Sequence, residues 1–543
     1  MATAKTRKER LSIYLAKNSF ATNELILKTE NAKAAIEFSI QEFKSTLYVK
    51  KDPPAITPSW TKLLTQNENI PKDIFGTSST VGAALVIECE GQKFILTFGS
   101  GYHLINSESI ERDFGLRVTL NSVDPDKLRS LDKASYDHNS LNSRTQSPQD
   151  VDIFDLAIDS EIDLLYAVTG ASKIEVFGSH VTGRDALTLF LEIDLKGIPA
   201  VLIEAIKKYK SKLPVEFEWV DNINRVRDKE MISLLDLFLD DSLANPTASN
   251  IWLGEPEIVD WESQIGYSFD LRPKTARHPT LELKQLHEYL KDLGHTPNTY
   301  SLKETSVHIN NSEFQSTKSW SAYRCLYAEI KNDDHQFILR NGIWYKVDDN
   351  FSKKIDDYLT TITTYQHQLP IYNHDREEEY NEEVVKKDPS FVLMDKKTIK
   401  TGGSYDKLEF CDLIKDGTDL IHVKYYRSSN TLSHLFAQGH VSAETFIKDV
   451  DFRKLLNPKL PDTIKLKDPN PRPDPNSYRI VYAIATSKKI PLELPFFSKI
   501  TLKNSTRTLR ALDFNVEISA IDVDPIIAAK KKFKPKPAAK PNP

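Results

Sequence analysis

The chain is poor in cysteine and has no long apolar run. Its 543 residues include only Cys89, Cys325 and Cys411, which are scattered and odd in number. This excludes a disulfide-framed fold and a cysteine zinc site. No stretch reaches the roughly 20 apolar residues of a membrane-spanning helix. The start, MATAKTRKERLSIYLAKNSF, is basic but lacks the apolar core and cleavage site of a secretory signal. We therefore expect a cytoplasmic protein without membrane contact.

The chain also lacks the positive charge of a bulk nucleic-acid binder. Its formal net charge is -5, and the final stretch AAKKKFKPKPAAKPNP is rich in lysine, so the rest is more acidic still. Any nucleic-acid function must then depend on a local site. The lysine and proline tail cannot fold by itself. It is either a solvated, solubilising tail or a phosphate-binding one, and the sequence leaves both readings open.

Length predicts a multidomain protein, and the strand and helix patterns along the chain indicate the α+β and α/β classes. Charged residues make up 27% and apolar residues 40% of a chain that is too long for one ordinary core. No internal repeat of roughly 20 to 50 residues is present. We predict an N-terminal α+β domain over 1–250, a middle α+β segment with a hairpin over 251–352, a mixed sheet flanked by helices over 353–525, and a disordered Lys/Pro-rich tail over 526–543.

In the N-terminal part, AALVIECEGQKFILTFG predicts a hairpin that turns at Glu90 and Gly91. The following FGSGYHL favours a plain turn over a phosphate loop, because no lysine follows its glycines. FGLRVTLNSVDPDKLRSLD predicts a strand and a turn, and residues 135–152 have the composition of a loop. Residues 198–213 place their apolar side chains on one helical face. In the middle segment, Asn341 and Gly342 suit the type I′ turn of a hairpin.

The C-terminal part predicts a fixed order of elements. An acidic helix, HDREEEYNEEVVKK, is followed by three strands, FVLMDKKTI, LEFCDLI and DLIHVKYY. TLSHLFAQG then predicts a helix that ends at Gly439, and AETFIKDVDFRKLL a second helix. After a proline-rich connector come a central strand, YRIVYAIAT, a helix, LKNSTRTLRAL, and a last strand, NVEISAI.

Asp412 on the second of these strands and Lys424 on the third carry the candidate chemistry. This order of elements, with an acid and a lysine on those strands, resembles the core of the PD-(D/E)xK nuclease superfamily and implies a restriction-endonuclease-like fold. Phosphodiester cleavage there needs a Mg²⁺-like ion with oxygen ligands and a positive charge near the phosphate. The resemblance implies that Asp412 binds the metal, that the Val423 carbonyl adds a ligand, and that Lys424 orients or deprotonates water.

The chain departs from the family pattern at His422, where the family has Asp or Glu. Imidazole suits Mn²⁺, Fe²⁺ or Zn²⁺ better than Mg²⁺, so the change implies a displaced acid, another metal or lost activity. A carboxylate from the acidic helix is the expected replacement, although the same acids also fit a solvated face: Glu379, Glu382 and Glu383. Gln438 is either a polar residue near the phosphate or a plain surface residue. A zinc site of His422, His434 and His440 matches no familiar spacing.

Two other acid and lysine sets weaken the motif as evidence. Asp270, Glu282 and Lys284 fit the formula more literally, but their Glu-Leu-Lys opens a helix. Glu329 and Lys331 have no aspartate-bearing strand before them. The plain alternative for Asp412 and Lys424 is a cross-strand ion pair, worth about 0.2 to 1 kcal/mol if exposed.

Three longer phrases are similar to a sporadically distributed bacterial family of about this length that has no assigned function: FGLRVTLNSVDPDKLRSLD, LEFCDLIKDGTDLIHVKYYRSSNTLSHLFAQGHVSAE and LPFFSKITLKNSTRTLRALDFNVEI. Patchy distribution of this kind implies a role against phage or foreign DNA. We expect a nuclease that uses Mg²⁺ or Mn²⁺, acts on nucleic acid with DNA favoured, and works as a homo-oligomer or with a defence-system partner. The alternative is an inactive nuclease fold that binds nucleic acid or protein.

Overall fold

The computed structural model describes residues 8–51, 61–66, 70–71, 73–77, 79–135, 141–245, 248, 250–259, 264–272, 275–311, 315–400, 408–426 and 429–533. Its elements form a mixed α+β architecture with several antiparallel sheets. Two compact units divide the chain: residues 1–134 with 142–220, and residues 135–141 with 221–543. Within the described residues, no helix combines the length and apolarity needed to cross a bilayer.

The first unit is built on one large sheet. Its strands are β1 Glu9–Leu15, β2 Ile36–Ile40, β3 Phe43–Val49, β4 Gly82–Cys89, β5 Gln92–Gly99, β6 Val123–Ser135, β7 Leu141–Val151, β8 Asp163–Ser172, β9 His180–Gly183 and β10 Leu187–Leu191. They lie in the order β2-β3-β4-β5-β1-β10-β9-β8-β6-β7. The predicted hairpin is confirmed as β4 and β5, whose turn holds Glu90 at φ 51° and Gly91 at φ 69°.

The helices of this unit are α1 Asn23–Ile26, α2 Thr61–Leu64, α3 Phe114–Leu120 and α4 Ile198–Lys210. The predicted helix over 198–213 is confirmed by α4. The predicted strand at FGLRVTL is wrong, because this segment is α3. Most of its residues are buried, so it lacks the polar face that reveals a helix in a sequence. Over 141–151 the predicted loop is also wrong. That segment is β7, which lies at the sheet edge and buries none of its side chains, hence its loop-like composition.

Among the residues that the structure describes, the second unit contains three sheets. Its strands are β11 Ile223–Arg225, β12 Ile251–Leu253, β13 Gly266–Ser268, β14 Ser306–Asn310, β15 Ser316–Ser321, β16 Leu326–Asn332, β17 His335–Arg340, β18 Ile343–Val347, β19 Thr363–Thr364, β20 Phe391–Leu393, β21 Leu413–Lys415, β22 Asp419–Tyr425, β23 Arg479–Ala485 and β24 Asn515–Ile521. The sheets are ordered β11-β18-β17-β16-β12, β13-β14-β15 and β19-β24-β23-β22-β21-β20.

The helices of the second unit are α5 Lys229–Leu243, α6 Leu283–Asp292, α7 Thr299–Glu304, α8 Ala322–Cys325, α9 Asp349–Leu359, α10 Glu377–Lys387, α11 Ser429–Lys448, α12 Val450–Leu456, α13 Phe496–Ala511 and α14 Pro525–Phe533. The predicted middle hairpin is β17 and β18, and Asn341 and Gly342 both have the positive φ of a type I′ turn. β11 belongs to the predicted domain 1–250 but pairs with β18. α14 covers the start of the predicted tail, and residues 534–543 lie outside the described residues.

The six-stranded sheet contains the candidate residues. Strand β22 pairs antiparallel with β21 and parallel with β23, and β23 pairs parallel with β24. Ile421 and Val423 of β22 pack with Tyr380 and Val384 of α10 in one apolar core. Since side chains alternate along a strand, His422 lies on the opposite face, where the ring of Tyr482 meets Phe436 of α11. The sheet is therefore covered by α10 on one face and by α11 on the other.

The predicted order from the acidic helix to the last strand is confirmed, but the predicted helix end at Gly439 is wrong. α11 continues through Gly439 to Lys448. A Cβ atom at Gly439 would lie 2.6 Å from Cε1 of Tyr482 on β23. The glycine therefore lets the helix approach the sheet closely. A glycine at this place in a sequence is typical of a helix end, but here its role is to make room for Tyr482. By residue type, Ser428 and Ser429 are also candidates for the helix N-cap. Ser428 and the side chain of Ser429 lie outside the described residues.

Candidate functional site

The candidate site begins where β21 and β22 separate. Their ladder runs from Lys415 paired with Asp419 to Leu413 paired with Ile421, and the Asp412 amide still donates to the Ile421 carbonyl. Beyond this point carboxylates replace the partner strand. The Val423 amide donates to Oδ2 of Asp412 at 2.7 Å, and the Tyr425 amide donates to Oε1 of Glu377 at 3.1 Å. The open edge of β22 is thus capped by two acids, because buried backbone donors require acceptors.

Lys424 binds the carboxylate of Glu377. Its Nζ donates to Oε2 of Glu377 at 2.8 Å, while the other carboxylate oxygen binds the Tyr425 amide. Both side chains are about one quarter exposed, at 28% and 25%. Glu377 is the first residue of α10, where the helix dipole favours an acid. The two ends of this contact are therefore held by a strand and a helix terminus, and they place an ammonium group at the end of β22.

Three acids lie together at the separating strands. Oxygen atoms of Asp395, Glu409 and Asp412 all lie within 4.8 Å of one another, and we call this set the acidic cluster. Asp395 follows β20 and Asp412 precedes β21, so the antiparallel pairing of the two strands brings them to one edge. The amides of Met394 and Asp395 both donate to the Asp412 carbonyl and fix this geometry. Hard oxygen ligands at this spacing suit Mg²⁺ or Mn²⁺.

The Asp412 carboxyl has an unusual electrostatic environment. The residue as a whole is partly buried, but its carboxyl group is enclosed by protein. Burial, together with the neighbouring carboxylates of Asp395, Glu409 and Glu377, raises the pKa of Asp412 to about 7, although the hydrogen bond from Val423 lowers it. Near neutral pH this group thus changes between a proton-bound and an ionised form, and only the ionised form binds a cation well.

Two amide side chains hold the other acids. Nδ2 of Asn381 on α10 lies 3.3 Å from Oδ2 of Asp395, and Nε2 of Gln438 on α11 lies 3.3 Å from Oε2 of Glu409. The sequence leaves Gln438 open as a residue near a phosphate or a plain surface residue, and the structure brings it to the acidic cluster. An amide N–H group orients a carboxylate without neutralising its charge. The positions of Asp395 and Glu409 are therefore fixed from both sides of the sheet.

His422 is not part of the acidic cluster. It is fully buried, its ring lies 6.2 Å from that of Tyr482, and neither ring nitrogen has a hydrogen-bond partner among the described residues. Burial lowers the pKa of His422 to about 4, so the imidazole is neutral at physiological pH. A catalytic role for His422 stays a prediction, and its surroundings are those of a core residue.

The predicted acids of α10 lie elsewhere. Glu383 contacts His374 and Lys387, and Glu382 lies 3.8 Å from Lys386. Glu379 is exposed. The structure does not bring Glu379 or Glu383 to Asp412, so metal binding by them stays a prediction. Val423 reaches Asp412 through its amide N–H, and a role for its carbonyl is likewise untested.

The other candidate sets are held in local structure. Glu282 caps the N-terminus of α6 and Lys284 pairs with Glu288, as expected for residues at the start of a helix. Glu329 accepts a hydrogen bond from the Phe496 amide at 3.1 Å. Of the three histidines, His434 is exposed and His440 lies 3.5 Å from Glu444. Within the described residues, His422, His434 and His440 do not form a metal-binding group.

Sequence reasoning missed Asp395, Glu409 and Glu377. Asp395 follows the first of three consecutive strands, and Asp412 precedes the second. A search for acids at strand ends that antiparallel pairing brings to the same edge would have found this pair. Glu377 is one of three consecutive glutamates at the start of α10, and no pattern in the sequence distinguishes it from the next two.

Comparison with known proteins identifies a family and no function. The model of a family described as Family of unknown function (DUF6119) matches residues 11–522. No curated protein and no solved structure matches the chain significantly. The chemistry of the site must therefore be argued from its own residues.

Proposed function

The chain belongs to this family of unknown function, and we propose that it is a metal-dependent nuclease that cleaves phosphodiester bonds, with DNA as the favoured substrate. The observation that carries the proposal is the convergence of Asp395, Glu409 and Asp412 within 4.8 Å at the edge from which Lys424 also projects. Three acids held this close repel one another, so the arrangement costs stability unless a cation compensates it.

The residues fit a divalent cation of the Mg²⁺ or Mn²⁺ type. The acidic cluster offers carboxylate oxygens from three positions, and the pKa of Asp412 is raised first by burial and then by the neighbouring acids. When bound, such an ion polarises a phosphate oxygen and lowers the pKa of water. Asp395, Glu409 and Asp412 would hold it. The Val423 amide keeps the Asp412 carboxylate directed along the open edge of β22.

Lys424 supplies the positive charge that phosphoryl transfer needs. Its Nζ is held 2.8 Å from Glu377, which also binds the next amide of the strand. An ammonium group fixed in this way can stabilise negative charge that develops on a phosphate, or orient an attacking water. Glu377 acts on the reaction through Lys424 and is a positioning residue.

The arrangement of elements supports the same proposal. Helix α10, strands β20, β21 and β22, helices α11 and α12 and strand β23 follow one another in the order that the resemblance to the PD-(D/E)xK superfamily implies. The sheet is antiparallel from β20 to β22 and parallel from β22 to β24. A restriction-endonuclease-like fold, Mg²⁺ or Mn²⁺ as cofactor and a role in defence belong to this proposal.

A second candidate function is a nuclease-fold protein that binds nucleic acid without cleaving it. The residue that favours it is His422, which stands where the superfamily has an acid and is buried against Tyr482. This candidate predicts salt-sensitive binding and no cleavage with any divalent metal.

A cleavage assay separates the two candidates. The purified full chain is incubated with plasmid, single-stranded oligonucleotides and RNA in Mg²⁺ or Mn²⁺, with EDTA as a blank. We expect Asp412→Ala and Lys424→Ala to lower the cleavage rate at least about 100-fold, because they remove a metal ligand and the charge at the phosphate. Lys284→Ala is the matched control, since Lys284 lies on the surface of α6 and pairs with Glu288.

Equal rates in the wild type, Asp412→Ala and Lys424→Ala would exclude this site as the source of cleavage. Binding that weakens with salt, without cleavage of any of the three substrates, would replace the nuclease by the second candidate.

A further inference from the structure

Asn381 is a buried amide on the face of α10 that otherwise buries Tyr380 and Val384. It is 1% exposed and lies next to Tyr380 and one helical turn from Val384, which both pack in the core beneath the sheet. Its Nδ2 contacts Oδ2 of Asp395 at 3.3 Å. Its Oδ1 is buried and has no hydrogen-bond partner among the described residues. A buried acceptor without a partner destabilises the fold, so stability alone does not explain this side chain.

The position of the amide relates it to the acidic cluster. Asp395, which it contacts, lies within 4.8 Å of Glu409 and Asp412. A carboxylate that can rotate presents its oxygens in several directions, and a hydrogen bond to one oxygen leaves the other directed toward the neighbouring acids. An amide carbonyl beside such a site can also accept a hydrogen bond from water, and this would satisfy Oδ1.

We propose that Asn381 is a positioning residue of the cation site: Nδ2 orients Asp395 toward Glu409 and Asp412, and Oδ1 accepts a hydrogen bond from a water molecule held in the loaded site. This inference rests on the proposed metal site and extends it to a residue outside the set of ligands. On this inference, the unpaired amide oxygen destabilises the metal-free protein, and its role in cation binding explains why it is present.

The same chemistry recurs on the other side of the sheet. Gln438 of α11 donates to Glu409, as Asn381 of α10 donates to Asp395. Gln438 is partly exposed, so solvent water can donate a hydrogen bond to its side-chain oxygen whether or not a cation is bound. Asn381 is the more informative of the two amides, because its unpaired Oδ1 atom is buried.

The test is a titration of the metal-free full chain with Mn²⁺ by calorimetry, together with its thermal unfolding in EDTA. Asn381→Leu removes both polar atoms at similar size. We expect it to weaken Mn²⁺ binding about 10- to 100-fold, the usual effect of removing a group that orients a ligand. The unfolding temperature in EDTA should stay equal or rise, because the unpaired acceptor is gone. Glu382→Gln, on the exposed face of α10, is the matched control and should change neither quantity.

Asn381→Ala gives a second variant if Asn381→Leu does not fold, and the same weakening is expected. Wild-type Mn²⁺ affinity in the folded variant, with a lower unfolding temperature in EDTA, would assign Asn381 a purely structural role and overturn the inference. If the wild type itself does not bind Mn²⁺, the proposed metal site fails first, and the inference fails with it.

Discussion

At the scale of single residues, Asp412 shows how this site conflicts with stability. Its carboxyl group is enclosed by protein and lies beside Asp395, Glu409 and Glu377. Burial first, and these neighbours second, raise its pKa to about 7. A carboxylate kept for structure would be expected beside a basic partner, as Asp419 is beside Arg479 at 2.8 Å. The surroundings of Asp412 favour a proton or a cation over an empty ionised carboxylate.

This environment predicts that the stability of the wild type depends on pH and on Mn²⁺, and that the stability of Asp412→Asn does not depend on either through this group. The folded-state pKa lies above the usual value of 3.8, so the protonated carboxyl stabilises the fold fully below pH 3.8, and this contribution is lost as the pH rises through about 7. The asparagine can still accept from the Val423 amide and does not titrate. Relative to Asp412→Asn, the metal-free wild type should lose about 2 to 3 kcal/mol between pH 5 and pH 8.

Hydrogen exchange of peptides from β21 and β22 measures this difference locally, without assuming a single unfolding step. Mn²⁺ at pH 8 should protect these peptides in the wild type and have no effect in Asp412→Asn. Asp462→Asn, whose side chain is 93% exposed, serves as control. If hydrogen exchange of these peptides depends on pH in the same way in the wild type and in Asp412→Asn, the pKa of the Asp412 carboxyl is not raised.

The sequence predicted part of this site and missed the rest for a physical reason. Asp412 and Lys424 were predicted because each lies at a strand in a recognisable order of elements. Lys424 turned out to contact Glu377 of α10, and the neighbours of Asp412 include Asp395 and Glu409. These contacts depend on how far β21 and β22 stay paired, and an antiparallel ladder can end at any residue without a mark in the sequence.

At the scale of elements, α11 and its contact with β23 fix the face of the sheet that holds His422. The helix runs over Tyr482, whose hydroxyl donates to the Phe436 carbonyl at 3.0 Å. Gly439 faces the same ring, since a Cβ atom there would lie 2.6 Å from Cε1 and 2.9 Å from the hydroxyl oxygen. The close approach of helix and strand therefore depends on a missing side chain.

Gly439→Ala should destabilise this contact, although alanine is the better helix former by about 1 kcal/mol. Overpacking against Tyr482 costs about 1 to 3 kcal/mol, so the net result is a loss of stability with a shift of the α11 peptides toward faster hydrogen exchange. Val441→Ala, at a position that is 45% exposed on the same helix, should stay within about 0.5 kcal/mol of the wild type. Stabilisation by Gly439→Ala would show that the helix can move away from β23 at little cost.

Elements with a regular polar face or a strong turn were predicted well. The hairpin of β17 and β18 has the Asn-Gly pair that a type I′ turn requires, and α4 has a clear apolar face. α3 is buried on most of its surface and β7 on little of its surface. In both cases the contrast between apolar and polar positions is absent, and this contrast is the signal on which prediction depends.

At the scale of the whole molecule, the chain forms two compact units, and the candidate site lies within the second. The strand and helix patterns along the chain predicted the mixed α+β class, which the observed elements confirm. The similar phrases predicted a family without assigned function, which the match over residues 11–522 confirms. The domain borders at 250 and 352 stay predictions. Because the net charge is -5, we attribute function to a local arrangement of charges rather than to a broad basic surface.

The most direct test of the central claim is the anomalous diffraction of a crystal of the full chain soaked in Mn²⁺. The account predicts a manganese peak with an oxygen of each of Asp395, Glu409 and Asp412 at about 2.0 to 2.6 Å, and no such peak in Asp412→Ala. An empty acidic cluster in a crystal whose Mn²⁺ concentration supports cleavage in solution, or a peak bound elsewhere in the chain, would contradict it.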